Sequence, residues 1–360
     1  RDAPVGADDN FFRLGGHSLL ATRMILAVNQ RYAITLGITD AFKAQTLAEL
    51  AARADAQRAC DLPEVAPIQR RATQTAAPLS YAQQRLWFID RLSGGSRQYN
   101  IVLPVKILGR LDMDALVAAL DAIVHRHEVL RTTYHEHADG SVLQRIQPCA
   151  PFALSGYRDL RACAPDEQQT RLDEHVRAAV DIDIDLSSDP MLRATLVALA
   201  DEAHVLVLTV HHIAADGWSL DVLVDEFVQL YTAIGQGQPP QLPALPIQYA
   251  DYALWQQAQA PALANGLAWW SAQLAGAPDL STLPGDRPRP TRMSGQGANL
   301  RSALPAALMA RVRGFCHAHD VTPFMLLEAV LALLVARYSD QHDVVIGTPV
   351  AGRLHREVEP

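Results

Sequence analysis

Residues 204–220 read HVLVLTVHHIAADGWSL. The stretch opens as an apolar run rich in Val and Leu, bounded on its N-terminal side by the polar loop Ala200-Asp201-Glu202-Ala203. Such a run predicts a buried strand. Side chains alternate between the faces of a strand, so His211 and His212 are expected to point to opposite sides. One imidazole is then structural, and the other faces whatever lies beyond the strand end. A short turn with Asp216 and Gly217 follows. Ser219 is expected to cap a helix whose apolar residues Leu220, Leu223, Phe227 and Leu230 fall at helical spacing. The product is a strand, a turn carrying His, Asp and Gly, and a helix.

The 360 residues suffice for two or three domains, and a 49% hydrophobic content supplies their cores. A net charge of −8 without a long basic run argues against nucleic acid or an anionic membrane as partner. No apolar run is long enough to span a bilayer, and no signal peptide is visible at Arg1. Cys60, Cys149, Cys163 and Cys316 lack CxxC spacing and read as free thiols in a reducing cytosol, not as a disulfide framework or zinc site. No metal site is expected. Neither an internal repeat nor a phosphate-binding glycine loop is present in the sequence.

The pattern His211-His212-x-x-x-Asp216-Gly217 resembles the HHxxxDG signature of the condensation domains of nonribosomal peptide synthetases, which belong to a wider family similar to chloramphenicol acetyltransferase. Three further stretches resemble family motifs in family order: LSYAQQRLWFIDRL at 79–92, RHEVLRTTY at 126–134 and IQYADYALWQ at 247–256. Taken as plain sequence, Ser80 to Gln83 fits a capping box opening an amphipathic helix. Residues 101–108 alternate as a strand. Asp112 caps a helix burying Leu116, Leu120 and Ile123. Arg126 and Arg131 are expected to be ion-paired scaffold residues. Asp139-Gly140 marks a hairpin turn, a helix is expected near 166–180, and the second half of DLSSDPMLRATLVAL should pair antiparallel with the organising strand. A helix at 247–256 is expected to bury Tyr249, Tyr252 and Trp255. Beyond it come a Pro-rich loop at 279–290, helices at 305–320 and 322–337, and a strand at 343–350.

Near the start, residues 9–20 read DNFFRLGGHSLL. Gly15 and Gly16 permit a tight turn, and Ser18 opens a helix with Leu20, Met24 and Val28 on one face. A helix N-terminus favours an attached phosphate through its free N–H groups and dipole. The stretch resembles the attachment motif of a peptidyl carrier domain, which implies 4′-phosphopantetheine on Ser18, its thiol holding the acyl group. Thr46 to Glu49 fits a capping box before a last carrier helix. Only 17 residues precede Ser18, so the resemblance implies a carrier lacking its first helix and short of core packing. Residues 58–78, with prolines at 63, 67 and 78, read as a linker, and Arg70-Arg71 as a solvated spot.

The fold class expected is α/β: a two-lobed α+β condensation domain of the chloramphenicol acetyltransferase type, preceded by a partial α-helical carrier bundle. The expected boundaries are carrier 1–57, linker 58–78 and condensation domain 79–360. Its first lobe is placed at about 79–256 and its second at about 257–360. The second is expected to be incomplete, because the Gly-Phe-Val-Asn motif of the family is absent. The resemblance implies a tunnel between the lobes, where an acceptor amine on a downstream carrier attacks the donor thioester to form an amide. His212 is the candidate that accepts or orients the amine proton. His211 is expected to be structural. Asp216 is expected to pair with Arg287, with Arg289 as the next partner, and to hold the turn. Gly217 lets the backbone approach the substrate, its N–H helping to polarise the carbonyl. Trp218 and Ser219 shape the wall and cap the helix.

An epimerization domain also follows a carrier and shares the two histidines, but typically reads DGxSW, against Asp216-Gly217-Trp218-Ser219-Leu220 here, and follows a carrier with Asp before the modified serine, against His17. A heterocyclization domain would replace the histidine pair with aspartates. An inactive carrier-docking scaffold and a free-standing acyltransferase are the remaining readings; the intact motif opposes the first, and the fused carrier the second. Direct fusion of carrier to condensation domain implies an L-configured donor. Expected partners are carrier-bound aminoacyl or peptidyl substrates, downstream carrier and adenylation domains, and a phosphopantetheinyl transferase. The expected setting is a monomeric, cytoplasmic multidomain chain without nucleic-acid or membrane contacts.

Overall fold

The computed structural model describes all residues other than 1–4, 13, 15, 17, 33, 35, 45, 59–66, 73–75, 279–282, 289, 292–296, 299, 320, 351, 354, 359 and 360. It divides into two compact units, Pro67–Ala264 with Glu357–Pro360, and Arg1–Ala66 with Asn265–Arg356.

The N-terminal part is helical: α1 (Ser18–Tyr32), α2 (Ile38–Lys43) and α3 (Leu47–Arg58). Its core gathers Ala21, Ile25, Ile34, Leu36, Ala41, Leu50 and Ala54, with Phe11, Phe12, Met24 and Val28 packed around them. Leu20 stays exposed, so the buried stripe of α1 runs through Ala21 and Ile25, one position round from the face expected. The Thr46 capping box forms: Thr46 N–H donates to Glu49 Oε2 and Glu49 N–H to Thr46 Oγ1, both at 3.2 Å.

In Pro67–Ala264 the elements run β1 (Ala76–Pro78), α4 (Tyr81–Ser93), β2 (Asn100–Leu108), α5 (Met113–Arg126), β3 (Thr132–Glu136), β4 (Val142–Ile146), β5 (Gly156–Asp159), α6 (Pro165–Val180), β6 (Leu192–Ala200), β7 (Ala203–His211), α7 (Gly217–Gly235) and α8 (Tyr249–Ala258). A four-stranded sheet has the order β2-β7-β6-β5, with β7 antiparallel to both neighbours and β5 parallel to β6. β7 reads as a continuous apolar run because both its faces are covered. Leu206, Leu208 and Val210 pack with Leu116, Leu120 and Ile123 of α5 and with Leu223, Phe227 and Leu230 of α7. Val205 and Val207 face the other way, toward Leu172, Val176 and Ala179 of α6. Fully burying each such Leu or Val stabilises the fold by about 1.5–3 kcal/mol, so this sandwich pins the register of β7 and with it the position of His211.

A second sheet, β1-β4-β3, is built on the hairpin at Asp139-Gly140. Gly140 there adopts φ 80°, a left-handed conformation that glycine enters without a steric penalty. The linker expectation is corrected on its C-terminal side. Ala76–Pro78 pairs with β4, Ala77 and Ile68 are buried, and Arg71 is not solvated but ion-paired to Asp251 and Glu128.

Further on lie α9 (Ala260–Gln273), α10 (Ala306–Ala318) and α11 (Pro323–Ser339). No strand forms at 343–350. A strand is stable only as half of a hydrogen-bonded ladder, and among the described residues of 257–360 no strand exists to pair with this segment. Among the described residues no single helix is long and apolar enough to cross a membrane.

Candidate active site

β7 ends at His211, which is 1% exposed. Its surroundings are set by the chain leaving α4. Gly94 (φ 70°) caps that helix in the left-handed region, and Gly95 (φ 129°) turns the chain so that Ser96 enters the interior. The His211 ring is tied at both nitrogens. The backbone N–H of Ile213 donates to Nδ1 at 3.2 Å, which leaves the ring proton on Nε2. Nε2–H therefore donates to Ser96 Oγ at 2.9 Å, and that hydroxyl donates to Asp90 Oδ1 at 2.6 Å. Protonating Nδ1 would set it against the Ile213 N–H. Burial, together with the neighbouring His212, pushes the ring pKa down to about 4.

That shift has a consequence for stability. Above the ordinary value of 6.5 the ring is neutral whether the chain is folded or not. Between 6.5 and about 4 the unfolded chain takes up a proton that the folded chain excludes, so stability falls as pH falls. The loss approaches on the order of 3 kcal/mol at pH 4. Urea unfolding of the wild type and of His211→Gln at pH 7 and pH 4 checks this: the gap between the two should narrow by that amount on acidification. A gap that does not change with pH would show a normally titrating ring.

His212, the next residue, is exposed. Its backbone N–H donates to the Tyr99 carbonyl at 2.8 Å, and the Tyr99 ring stands edge-on to its imidazole at 6.4 Å. The turn closes through Ala214 N–H to the His211 carbonyl at 2.9 Å. Asp216, not Ser219, is the N-cap of α7: its Oδ1 accepts from Ser219 N–H at 2.9 Å and from Ser219 Oγ at 2.6 Å, while Asp216 N–H donates to Ser219 Oγ at 3.1 Å. A carboxylate suits that place because the helix N-terminus is electropositive. Gly217, the first residue of α7, is exposed, does not have positive φ, and has no atom within 4 Å of where a Cβ would stand. Neither backbone strain nor packing requires glycine there.

The stretch at 126–134 braces α7 from behind. Glu226 of α7, buried, accepts from Arg126 Nε at 2.9 Å and from His127 Nε2 at 2.6 Å. Burial works against its charge, but these bonds outweigh burial and hold the carboxyl below its usual range. Arg131 lies 3.9 Å from Glu128 and donates to the Gln147 carbonyl, as a scaffold residue would. In α8 the fully buried residues are Ala250, Asp251 and Ala253. Tyr249, Tyr252 and Trp255 are half-buried and form a run of contacting rings, with centroids 5.6 and 5.8 Å apart. Arg287 is exposed, and Arg289 lies outside the described residues.

Residues 73–360 match the model of the condensation domain. The chain belongs to the condensation-domain family. Residues 1–54 match the phosphopantetheine attachment site, so 4′-phosphopantetheine is the cofactor of this part. The chain is 40% identical over 361 residues to a linear gramicidin synthase of Brevibacillus parabrevis, covering 99% of this chain and 5% of that protein. It is similar to the X-domain solved as a complex with OxyB from teicoplanin biosynthesis, with 31% identity, a TM-score of 0.66, and coverage of 77% of this chain and 60% of that one. A holo four-domain nonribosomal peptide synthetase bound to AMP and glycine shares the fold, with a TM-score of 0.68 at 21% identity over 84% of this chain and 22% of that one. This condensation chain therefore spans a small part of the curated relative it matches.

The described carrier residues fit the cofactor. Ser18 is the first residue of a 15-residue helix, whose opening N–H groups suit a phosphate. The preceding loop is packed tightly: Gly16 N–H donates to the Phe11 carbonyl at 3.0 Å, and a Cβ on Gly16 would stand 2.3 Å from the Phe11 ring. Glycine is required there by close approach, whereas Gly15 and His17 lie outside the described residues.

The sequence reading missed Ser96, Asp90, Tyr99 and Glu226. The one local signal was Gly94-Gly95 after an amphipathic helix, which marks a helix end but not what the next serine touches. Ser96 meets His211 across 115 positions of chain, and Glu226 meets Arg126 across 100.

Proposed function

We propose that this chain joins two carrier-bound residues in nonribosomal peptide synthesis, its condensation domain forming the amide and Ser18 holding the donor. The observation that supports this best is the split of the histidine pair, with His211 locked inside as a neutral ring and His212 exposed beside the start of α7. When attached, the phosphopantetheine supplies the thiol that carries the acyl group. His212 would take the acceptor amine's proton as the nitrogen bonds to the thioester carbonyl carbon, and would return that proton to the departing sulfur as the C–S bond breaks, so that the thiol is released and the ring is neutral again. The open space at Gly217 admits the substrate backbone, and we assign its N–H, one of the first-turn donors without a partner inside the helix, to the developing oxyanion. Asp216 fixes the turn at the head of α7, and we assign Arg287 as its ion-pair partner; a double-mutant cycle on the two residues reads that pair directly.

Amide formation from a loaded donor on Ser18 and a loaded downstream acceptor tests the reading, with Gly217→Ala as the diagnostic variant. Alanine at 217 fits the backbone and meets no protein atom, so stability should stay level or rise by up to about 1 kcal/mol while turnover falls. Turnover equal to wild type would remove Gly217 from the site. The docking alternative draws on the X-domain relative, which is solved in complex with OxyB; a wild-type chain that binds loaded carriers without forming product would favour it. The carrier boundary at 57, the lobe boundary at 256 and the L-configured donor stand as parts of the same proposal.

A further inference from the structure

The acidic residues of the 126–134 and 247–256 stretches, Glu128 and Asp251, lie outside the chemistry described so far. They converge on a residue from the segment between carrier and condensation domain. Arg71 is 11% exposed; its Nη1 lies 2.7 Å from Asp251 Oδ1, and its other arm reaches Glu128. Its backbone N–H donates to the same Asp251 oxygen at 3.2 Å. Asp251 is itself fixed, since its second oxygen accepts from Gln248 N–H at 2.8 Å at the head of α8. The Gln248 side chain accepts from Glu128 N–H at 3.1 Å and donates to the Arg126 carbonyl at 2.9 Å. Further along, α8 holds the chain again: Gln257 donates to the Leu79 carbonyl at 2.8 Å, and Gln256 accepts from Tyr81 N–H at 2.9 Å.

A buried ion cluster adds little stability that well-packed apolar side chains would not give. What it adds is register: a guanidinium fits only where both carboxylates meet it, so the chain cannot slide by a residue. We propose that Glu128 and Asp251 form a latch on Arg71 that, together with the buried Ile68 three positions before it, sets where the donor carrier's tether begins, making Arg71 a positioning residue for donor delivery. This rests on the reading that Ser18 carries the donor. From Arg58 at the end of α3 to Arg71 is thirteen positions, about 45 Å of chain at most. The local concentration of a tethered group falls roughly as the −3/2 power of tether length.

The test uses the full synthetase chain, with the acceptor loaded on the downstream carrier. The donor is either loaded on Ser18 or supplied to Ser18→Ala as a free aminoacyl N-acetylcysteamine thioester. In an Ile68→Ser background, which removes the other anchor of this segment, Arg71→Gln should lower the Ser18-donor rate by about twofold, as the next hold moves to β1, and leave the free-donor rate unchanged. In the same background six Gly/Ser residues inserted between Gln74 and Thr75 should be silent while Arg71 is latched. Combined there with Arg71→Gln they should bring the loss to about two- to threefold. The triple variant Arg71→Gln, Glu128→Gln, Asp251→Asn leaves no buried charge unpaired and should behave as Arg71→Gln does. Equal losses with both donors would make the cluster scaffold only, and an insertion that costs rate with Arg71 intact would show that the tether does not begin there. A wild-type chain that condenses the free donor but not the Ser18-bound one would instead overturn the donor-carrier reading.

Discussion

Incubation with coenzyme A and a broad-specificity phosphopantetheinyl transferase should add one phosphopantetheine to the carrier with its first helix restored, and Ser18→Ala should abolish the addition. With no thiol to hold the donor, condensation of a Ser18-borne residue should fall to zero. The reason lies in the placement of the serine. Ser18 opens a 15-residue helix whose first N–H groups have no partner within the helix, and these favour the phosphodiester that attachment creates. The approach of Gly16 to the Phe11 ring holds the loop that leads into it. Ser18 is the first helical residue of α1, where alanine is a favourable helix former, so the variant should remain folded and the loss should be chemical. Intact-protein mass spectrometry and melting temperature, measured together, decide the matter. Labelling that survives Ser18→Ala would place the cofactor elsewhere.

His212→Ala should lower amide formation by about 10²–10⁴-fold, the usual contribution of a general base, while Ser18 loading and melting temperature stay as in the wild type. The side chain is exposed, and the bond that positions this residue comes from its backbone N–H to Tyr99, which alanine retains. A loss below tenfold would mean that the ring only orients the amine. His211→Ala should do the reverse in stability. It removes a buried ring and leaves Ile213 N–H and Ser96 Oγ each short of a partner, and each buried group left unsatisfied costs about 1–3 kcal/mol. A His211→Ala chain that keeps its melting temperature but loses turnover, beside a His212→Ala chain that does the opposite, would reverse the two assignments.

What the sequence determined by itself was local or periodic. The apolar run at 204–211, the hairpin at Asp139-Gly140, the capping boxes at Thr46 and Ser80 and the helix begun by Asp112 all appear where the pattern put them. Each depends on residues within a few positions of one another, where hydrogen-bond reach and side-chain period leave few choices. His211 is the last residue of β7 and His212 the first of the turn beyond it, so the pair is divided by the end of the strand rather than by alternation along it. Tertiary structure decided whatever depends on which distant groups meet. Ser219 reads as a cap, but the carboxylate of Asp216 takes that place because it carries charge to the positive end of α7. Residues 343–350 have strand-like composition but no ladder partner among the described residues. Arg71 reads as a solvated linker charge, and only the meeting of Asp251 and Glu128, 180 and 57 positions away, turns it into a partly buried ion pair. Pairing of charges across such separations leaves no periodic trace in sequence, because it is fixed by where the folded backbone brings three side chains together.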